Sequence, residues 1–424
     1  MRHSISILLF FLLLPLTGFA QQTIKGKVID STSEEPLSYT SIAVPNSSTG
    51  TMTNAIGEFE LQLKEGQSEI QISYIGYLDT IVRINAVERY YEVELKAYEY
   101  QLSEIIVRPL SPLEYIKEAL AKHPDLIATE PFTTRSFFAA KSSVENNNSD
   151  SYKLDEAIFN TYFSDYANDT LKEASQLLLH RPTVVGDFTS ILEENKRLNK
   201  KKKKEKKSDK VKENEVANEE EESEVTFSLN DFTDAGPNAT LRQSKSLTTL
   251  SFFNSEYFKK FNYTFGDQTY YQGRELIRIN FFNKRKVEQS YFKGSVYLDY
   301  KDLAIVAVEY NERVKIPGYI NLLLKTVAGF SLDGIEQDVK IRNQFIDSKW
   351  YPKEVLFDLD LTIKQKGVLE VISIAQILNI EEIEFENPSD IDPNKVFDSE
   401  GEYEDQVHPV EEISWDKVNV IELK

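Results

Sequence analysis

The sequence predicts a mainly β protein in two parts, a small N-terminal β-sandwich and a larger antiparallel β-sheet or half-barrel joined to it by a short helix. Three observations predict it. Apolar and polar residues alternate in short runs separated by turn residues from Thr23 to about Lys96. A capped, helix-periodic stretch follows at 111–123. Strand-like runs then recur from Phe132 to Leu378, broken by one charged stretch.

The first twenty residues read as a secretory leader. Arg2 and His3 precede an apolar run from Ile7 to Leu14, and Gly18-Phe19-Ala20 offers a small-residue cleavage site before Gln21. The alternative, a membrane anchor, needs about 20 apolar residues. In the sandwich, Phe59, Leu61 and Leu63 face one way while Glu58, Glu60, Gln62 and Lys64 face the other. Ile70, Ile72 and Tyr74 repeat the pattern, as do Val93 and Leu95, so one face is buried and one is wet. Asn54-Ala55-Ile56-Gly57 reads as a hairpin turn with Gly57 at positive φ, and Gly76 as a bulge or a close backbone approach.

Ile24-Lys25-Gly26-Lys27-Val28-Ile29-Asp30, Glu35-Pro36-Leu37, Gly50-Thr51-Met52-Thr53-Asn54, Gly57-Glu58-Phe59-Glu60-Leu61 and Ile72-Ser73-Tyr74-Ile75-Gly76-Tyr77 carry a resemblance. Together they are similar to the carboxypeptidase regulatory-like domain of Bacteroidetes envelope proteins. The resemblance implies a transthyretin-like, seven-strand sandwich over 21–97. The family usually has an acidic residue where this chain has Asn54, and a polar one where it has Ile56. In that family the module accompanies catalytic domains without supplying zinc ligands, so it implies no peptidase activity. Leu102-Ser103-Glu104-Ile105-Ile106-Val107 resembles the segment after this module in TonB-dependent receptors, whose plug and barrel need more chain than remains here.

Residues 98–125 are a linker and helix. Ser111 is the N-cap, Pro112 opens the helix, Glu114 completes a capping box, and Leu113, Ile116 and Leu120 share a face that His123-Pro124 ends. Over 126–424, strands are expected at 132–140, 157–163, 275–282, 290–298, 303–310, 356–363 and 369–378, with a hairpin through Tyr300-Lys301-Asp302. That hairpin and Asp347-Ser348-Lys349-Trp350-Tyr351-Pro352 resemble the half-barrel of envelope lipoprotein carriers, whose concave face holds acyl chains. A filled antiparallel core is the other reading. A membrane β-barrel fits Leu356–Leu361 locally but not the terminal Glu422-Leu423-Lys424.

Between 193 and 224 a lysine block, Lys200–Lys204 with Lys206 and Lys207, meets a glutamate block, which reads as a disordered insert. Lys200–Lys207 could touch anionic head groups, or the two blocks could neutralise each other in solvent. The acidic stretch 381–412 reads as a solvated tail. Asp390, Asp392 and Asn394 alternate as in a calcium loop, but Lys395 and Gly401 occupy the places that need glycine and glutamate.

The chain of 424 residues has no cysteine, which excludes disulfides, zinc–thiolate sites, iron–sulfur clusters, thiol nucleophiles and a lipidated N-terminal cysteine. Its net charge of -20 argues against nonspecific nucleic-acid binding. His123, His180 and His408 stand apart, and no phosphate-binding glycine loop or serine elbow is present. The expectation is an exported, non-catalytic envelope protein, in the periplasm or at the outer membrane. It would use no cofactor or metal and would bind or scaffold an envelope protein or lipid. The alternative is a half-barrel carrier of a lipid or other hydrophobic ligand. A glycosidase would need two carboxylates brought together in a cleft.

Overall fold

A computed structural model describes residues 22–85, 90–99, 109–146, 149–167, 173–186, 240, 246–327, 329–365, 367–386, 388–398, 401, 403–410 and 413–423. The expected leader at 1–20, the receptor-like segment 102–107, the insert at 193–224 and its Lys200–Lys207 run lie outside the described residues.

The N-terminal part has seven strands: β1 (Gln22–Asp30), β2 (Ser41–Ala43), β3 (Gly50–Met52), β4 (Glu58–Leu63), β5 (Glu69–Ser73), β6 (Thr80–Arg83) and β7 (Tyr90–Leu95). They form two sheets, β4-β1-β7 and β3-β2-β5-β6. The alternation read from the sequence closes them on one core of Ile24, Val28, Phe59, Leu61, Leu63, Ile70, Ile72, Val93 and Leu95. β1 and β7 pair in parallel and the other pairs are antiparallel. The Asn54–Gly57 turn is not a hairpin. It carries the chain from β3 to β4, which belong to different sheets. Gly57 does have positive φ (+80°), and a Cβ there would lie 2.7 Å from the Val28 carbonyl oxygen.

Helix α1 (Pro112–Leu126) begins as expected. The Ser111 hydroxyl accepts from the Glu114 amide, and the Glu114 carboxylate accepts from the Ser111 amide at 2.7 Å. It runs past His123-Pro124 to Leu126, because a proline in the last turn costs one bond while Ile127 N–H still closes the end on the His123 carbonyl. Its inner face is Tyr115, Ile116 and Ala119, with Leu120 packed beside them.

The second part is one antiparallel sheet of eleven strands. β8 (Phe132–Asn146), β9 (Ser149–Phe163) and β10 (Ala174–Val185) form one meander. β11 (Phe261–Phe265), β12 (Thr269–Tyr271), β13 (Arg274–Asn283), β14 (Ser290–Asp299), β15 (Ile305–Val314), β16 (Ser331–Ile346), β17 (Lys349–Gln365) and β18 (Val368–Glu384) form a second. The two are stitched by β8 on β18, giving the order β10-β9-β8-β18-β17-β16-β15-β14-β13-β11, with β12 on β13. Among the described residues no pairing of β10 with β11 closes it into a barrel. The expected hairpin through Tyr300–Asp302 is the β14–β15 turn. Among the described residues no helix is long and apolar enough to cross a membrane.

One face of this sheet carries the main core. Phe138, Phe159, Ile279, Phe281, Val296, Val339, Val355, Leu361 and Ile374 lie there under α1, the segment 246–260 and α2 (Gly318–Val327). Phe252 is its centre, stacked on Phe281 at 4.1 Å between ring centroids and met edge-on by Phe261, Phe292 and Tyr310. Phe252→Ala is therefore expected to cost about 3–5 kcal/mol. Urea unfolding followed by fluorescence measures it, and a loss under 1 kcal/mol would show that this face tolerates a void.

Candidate functional site

The sandwich sits on the other face of the large sheet, and buried polar and charged groups gather at the seam between them. Its apolar base is Met52, Phe137, Ala139, Ile158, Leu178, Leu356, Ile377 and Ile421. Ile421 belongs to the C-terminal segment 413–423, which is held along the sandwich. Asn419 donates to the Thr51 hydroxyl (2.5 Å) and the Met52 carbonyl (3.1 Å) and accepts from the Glu60 amide (2.9 Å). Gly76, expected as a bulge or close approach, donates its N–H to the Tyr270 carbonyl across the seam at 3.1 Å. Ser48 likewise donates to the Ile383 carbonyl at 2.6 Å.

Above this base runs a row of charges. Arg342 and Glu354 are register partners on β16 and β17, ion-paired with side chains only 3% and 0% exposed. The same guanidinium lies 3.5 Å from Glu309, donates to the Tyr39 carbonyl at 3.2 Å, and stands over the Tyr74 ring. One cation thus joins two strands of the sheet to the sandwich. Lys353, buried at a bulge in β17, donates to the Ile380 carbonyl at 2.7 Å. Burial pushes its ammonium down to about 8, against the pull of Glu354 and Glu381.

Glu381 is itself the bulged residue of β18, between Ile380 and Glu382. Burial pushes its carboxyl up to about 7, against Arg135, whose Nε lies 3.7 Å away, and Lys353. Arg135 also bonds Glu382 at 2.9 Å, and Glu382 pairs with Lys64 of the sandwich. These groups wall a cleft of about 600 Å³ at the seam, lined by Gln62, Lys64, Arg135, Glu381, Glu384 and Phe385 among others.

This corrects the reading of 381–412 as a solvated tail. Glu381–Glu384 end a core strand, and Phe397 is buried with its amide donating to the Ser175 carbonyl at 2.7 Å. Asp392 spends its carboxylate on capping the short turn at Pro393–Lys395. The histidines stay apart. His123 is buried at the end of α1, where burial pushes its imidazole down to about 4. His180 is a strand residue stacked on Tyr403, with Nε2 3.1 Å from Asp155. Among the described residues no cluster of three or more metal-ligating side chains forms.

Two predictions test the seam. Arg342→Met leaves Glu354 buried without its cation and is expected to cost about 3–5 kcal/mol, while Arg342→Met with Glu354→Leu recovers most of it. A double variant as unstable as the single one in urea would refute this. For Glu381, the folded pKa lies above the ordinary 4.5, so its contribution is fully present below pH 4.5 and is lost as pH rises through about 7. The denaturation midpoint should therefore fall between pH 5 and pH 8, and Glu381→Gln should reduce that fall by about 1–3 kcal/mol of unfolding free energy. Equal pH slopes in the two proteins would show that Glu381 carries no such linkage.

No curated protein matches the chain. Among solved structures it is similar to a DUF1329 family protein from Desulfovibrio piger ATCC 29098, with 6% identity and a TM-score of 0.23 over 66% of this chain and 95% of that one. At that score the likeness carries no argument. Residues 24–107 match the family model of the CarboxypepD_reg-like domain, so the sandwich whose fold and seam are described above is a domain of that family.

Proposed function

We propose that this is an exported, non-catalytic protein of a cell envelope, acting in the periplasm or at the outer membrane, that binds or scaffolds a partner at the seam between its two β parts. The observation that carries the reading is the 600 Å³ cleft whose walls come from the sandwich, from β8 and from the end of β18. A cleft built by two interlocked units presents a fixed surface, which suits recognition. Its charged side chains are engaged with one another, Lys64 of the sandwich with Glu382 across the seam and Arg135 with Glu382 within the sheet, which is a structural employment. The leader-like first twenty residues support export.

The carrier alternative needs an apolar hollow on the sheet. The face that would offer one is packed by the protein's own rings, Phe252 on Phe281 and Phe159 on Phe397 at 5.1 Å, which favours the binding reading. Two measurements decide. Native mass spectrometry with lipid extraction, on protein purified from its own envelope fraction, is expected to find no stoichiometric acyl ligand. A photo-crosslinking residue in place of Gln62 in the cleft should give a discrete adduct in cells that one in place of the exposed Lys340 does not. A stoichiometric lipid, or identical adducts from both positions, would overturn the proposal.

A further inference from the structure

Helix α2 presents an apolar face that the fold does not use. Tyr319, Leu322 and Leu323 follow the i, i+3, i+4 spacing of one helix face and are 74%, 67% and 52% exposed. The helix is not loose. Its opposite face buries Leu324 and packs Ile320 on the core. Asn321 clamps it to the start of β16, donating to the Leu332 carbonyl at 2.8 Å and accepting from the Leu332 amide at 2.9 Å. Gly329, at positive φ, ends it by donating to the Leu324 carbonyl at 3.0 Å. The exposed side chains are therefore held outward by a helix fixed on its other side.

A second apolar pair stands beside it. Ser331, just past α2, is the register partner of Lys364, and Lys364 is that of Leu369 at the β17–β18 hairpin. Val368 and Leu369 at that tip are 62% and 57% exposed. A single exposed leucine needs no account, but five large apolar side chains at one end of a sheet do.

The charge nearest them is basic. Across 315–330 and 361–369 the sequence has lysines 315, 325, 364 and 366 and no carboxylate, with exposed Asp333 and Asp360 and buried Glu370 flanking those stretches. Lys315, Lys325 and Lys364 are exposed. With a net charge of -20 the protein as a whole is repelled by an anionic surface, so this end is the one that such a surface would attract. Apolar side chains on a fixed amphipathic helix, rimmed by lysines whose stems can lie along the apolar layer, match an anionic bilayer interface.

We infer that Tyr319, Leu322 and Leu323 of α2, with Val368 and Leu369 of the neighbouring hairpin, dock this end of the sheet on the surface of an anionic lipid bilayer. The contact is separate from the seam cleft, so either can fail without the other. The test is flotation of the purified full chain with vesicles of phosphatidylcholine and phosphatidylglycerol at about 3:1, against phosphatidylcholine alone. Binding should be about tenfold stronger to the anionic vesicles and weaken as salt screens the lysines. Leu322→Glu with Leu323→Glu, both exposed positions, should lower it at least tenfold with the near-ultraviolet circular dichroism unchanged, and Lys325→Glu by about fivefold. Absence of vesicle binding, or binding that the double glutamate variant leaves intact, would overturn the inference. So would a concentration-dependent dimer in sedimentation that the same variant abolishes, since a second copy would then cover the face.

Discussion

Five neighbouring strands of the large sheet, β9, β8, β18, β17 and β16, run 15 to 17 residues each, and strands of that length alternate their side chains between two faces that both need cover. The aromatic core covers one face. On the other face, Phe137, Ala139, Ile158, Leu356 and Ile377 would be exposed without the sandwich and the C-terminal segment. The sandwich is in this sense the second layer of the domain it precedes. That requirement explains why so many polar groups are buried at the seam: a strand that must pack on both sides buries whatever residue its register delivers.

The seam charges follow from the same constraint. Burying Arg342 and Glu354 removes two ions from water, a cost that mutual attraction offsets only when the remaining hydrogen-bonding capacity is also met. Glu309 and the Tyr39 carbonyl supply part of that. Such a network contributes more to register than to stability. Arg342 finds Glu354 and Tyr39 together only when β16, β17 and the sandwich are all in place. A slip of one residue in β17 would leave two charges unpaired in an apolar layer.

The sequence was informative where each face has one environment. In the sandwich, alternation identified Phe59, Leu61, Leu63, Ile70, Ile72, Tyr74, Val93 and Leu95 as core, and all are buried but Tyr74, which is half-buried against it. β10 escaped because a bulge between Leu177 and Leu179, together with Pro182, breaks its period, and β16 because a bulge beside Gly334 shifts which residues face the core. Of the expected strands, those at β13 and β14 match to within a residue at each end, while those at β17 and β18 are short, since alternation fades where these strands pack on both faces. α2 was not expected, because Leu322-Leu323-Leu324 is an apolar run too short to show a helical period.

The seam site was illegible for a different reason. Glu381-Glu382 looks like solvated acid next to further acid, and nothing local marks the two as half-buried. A bulge at Glu381 places two consecutive glutamates on the seam side, where Arg135 and Lys353, distant in sequence, converge. The raised carboxyl of Glu381 and the lowered ammonium of Lys353 share a cause, desolvation, which outweighs Arg135 and Lys353 at the first and Glu354 and Glu381 at the second. Proton occupancy at the seam is thereby tied to how closely sandwich and sheet are pressed together. A partner that entered the cleft and displaced Arg135 from Glu381 would raise the carboxyl further and favour its protonated, neutral form.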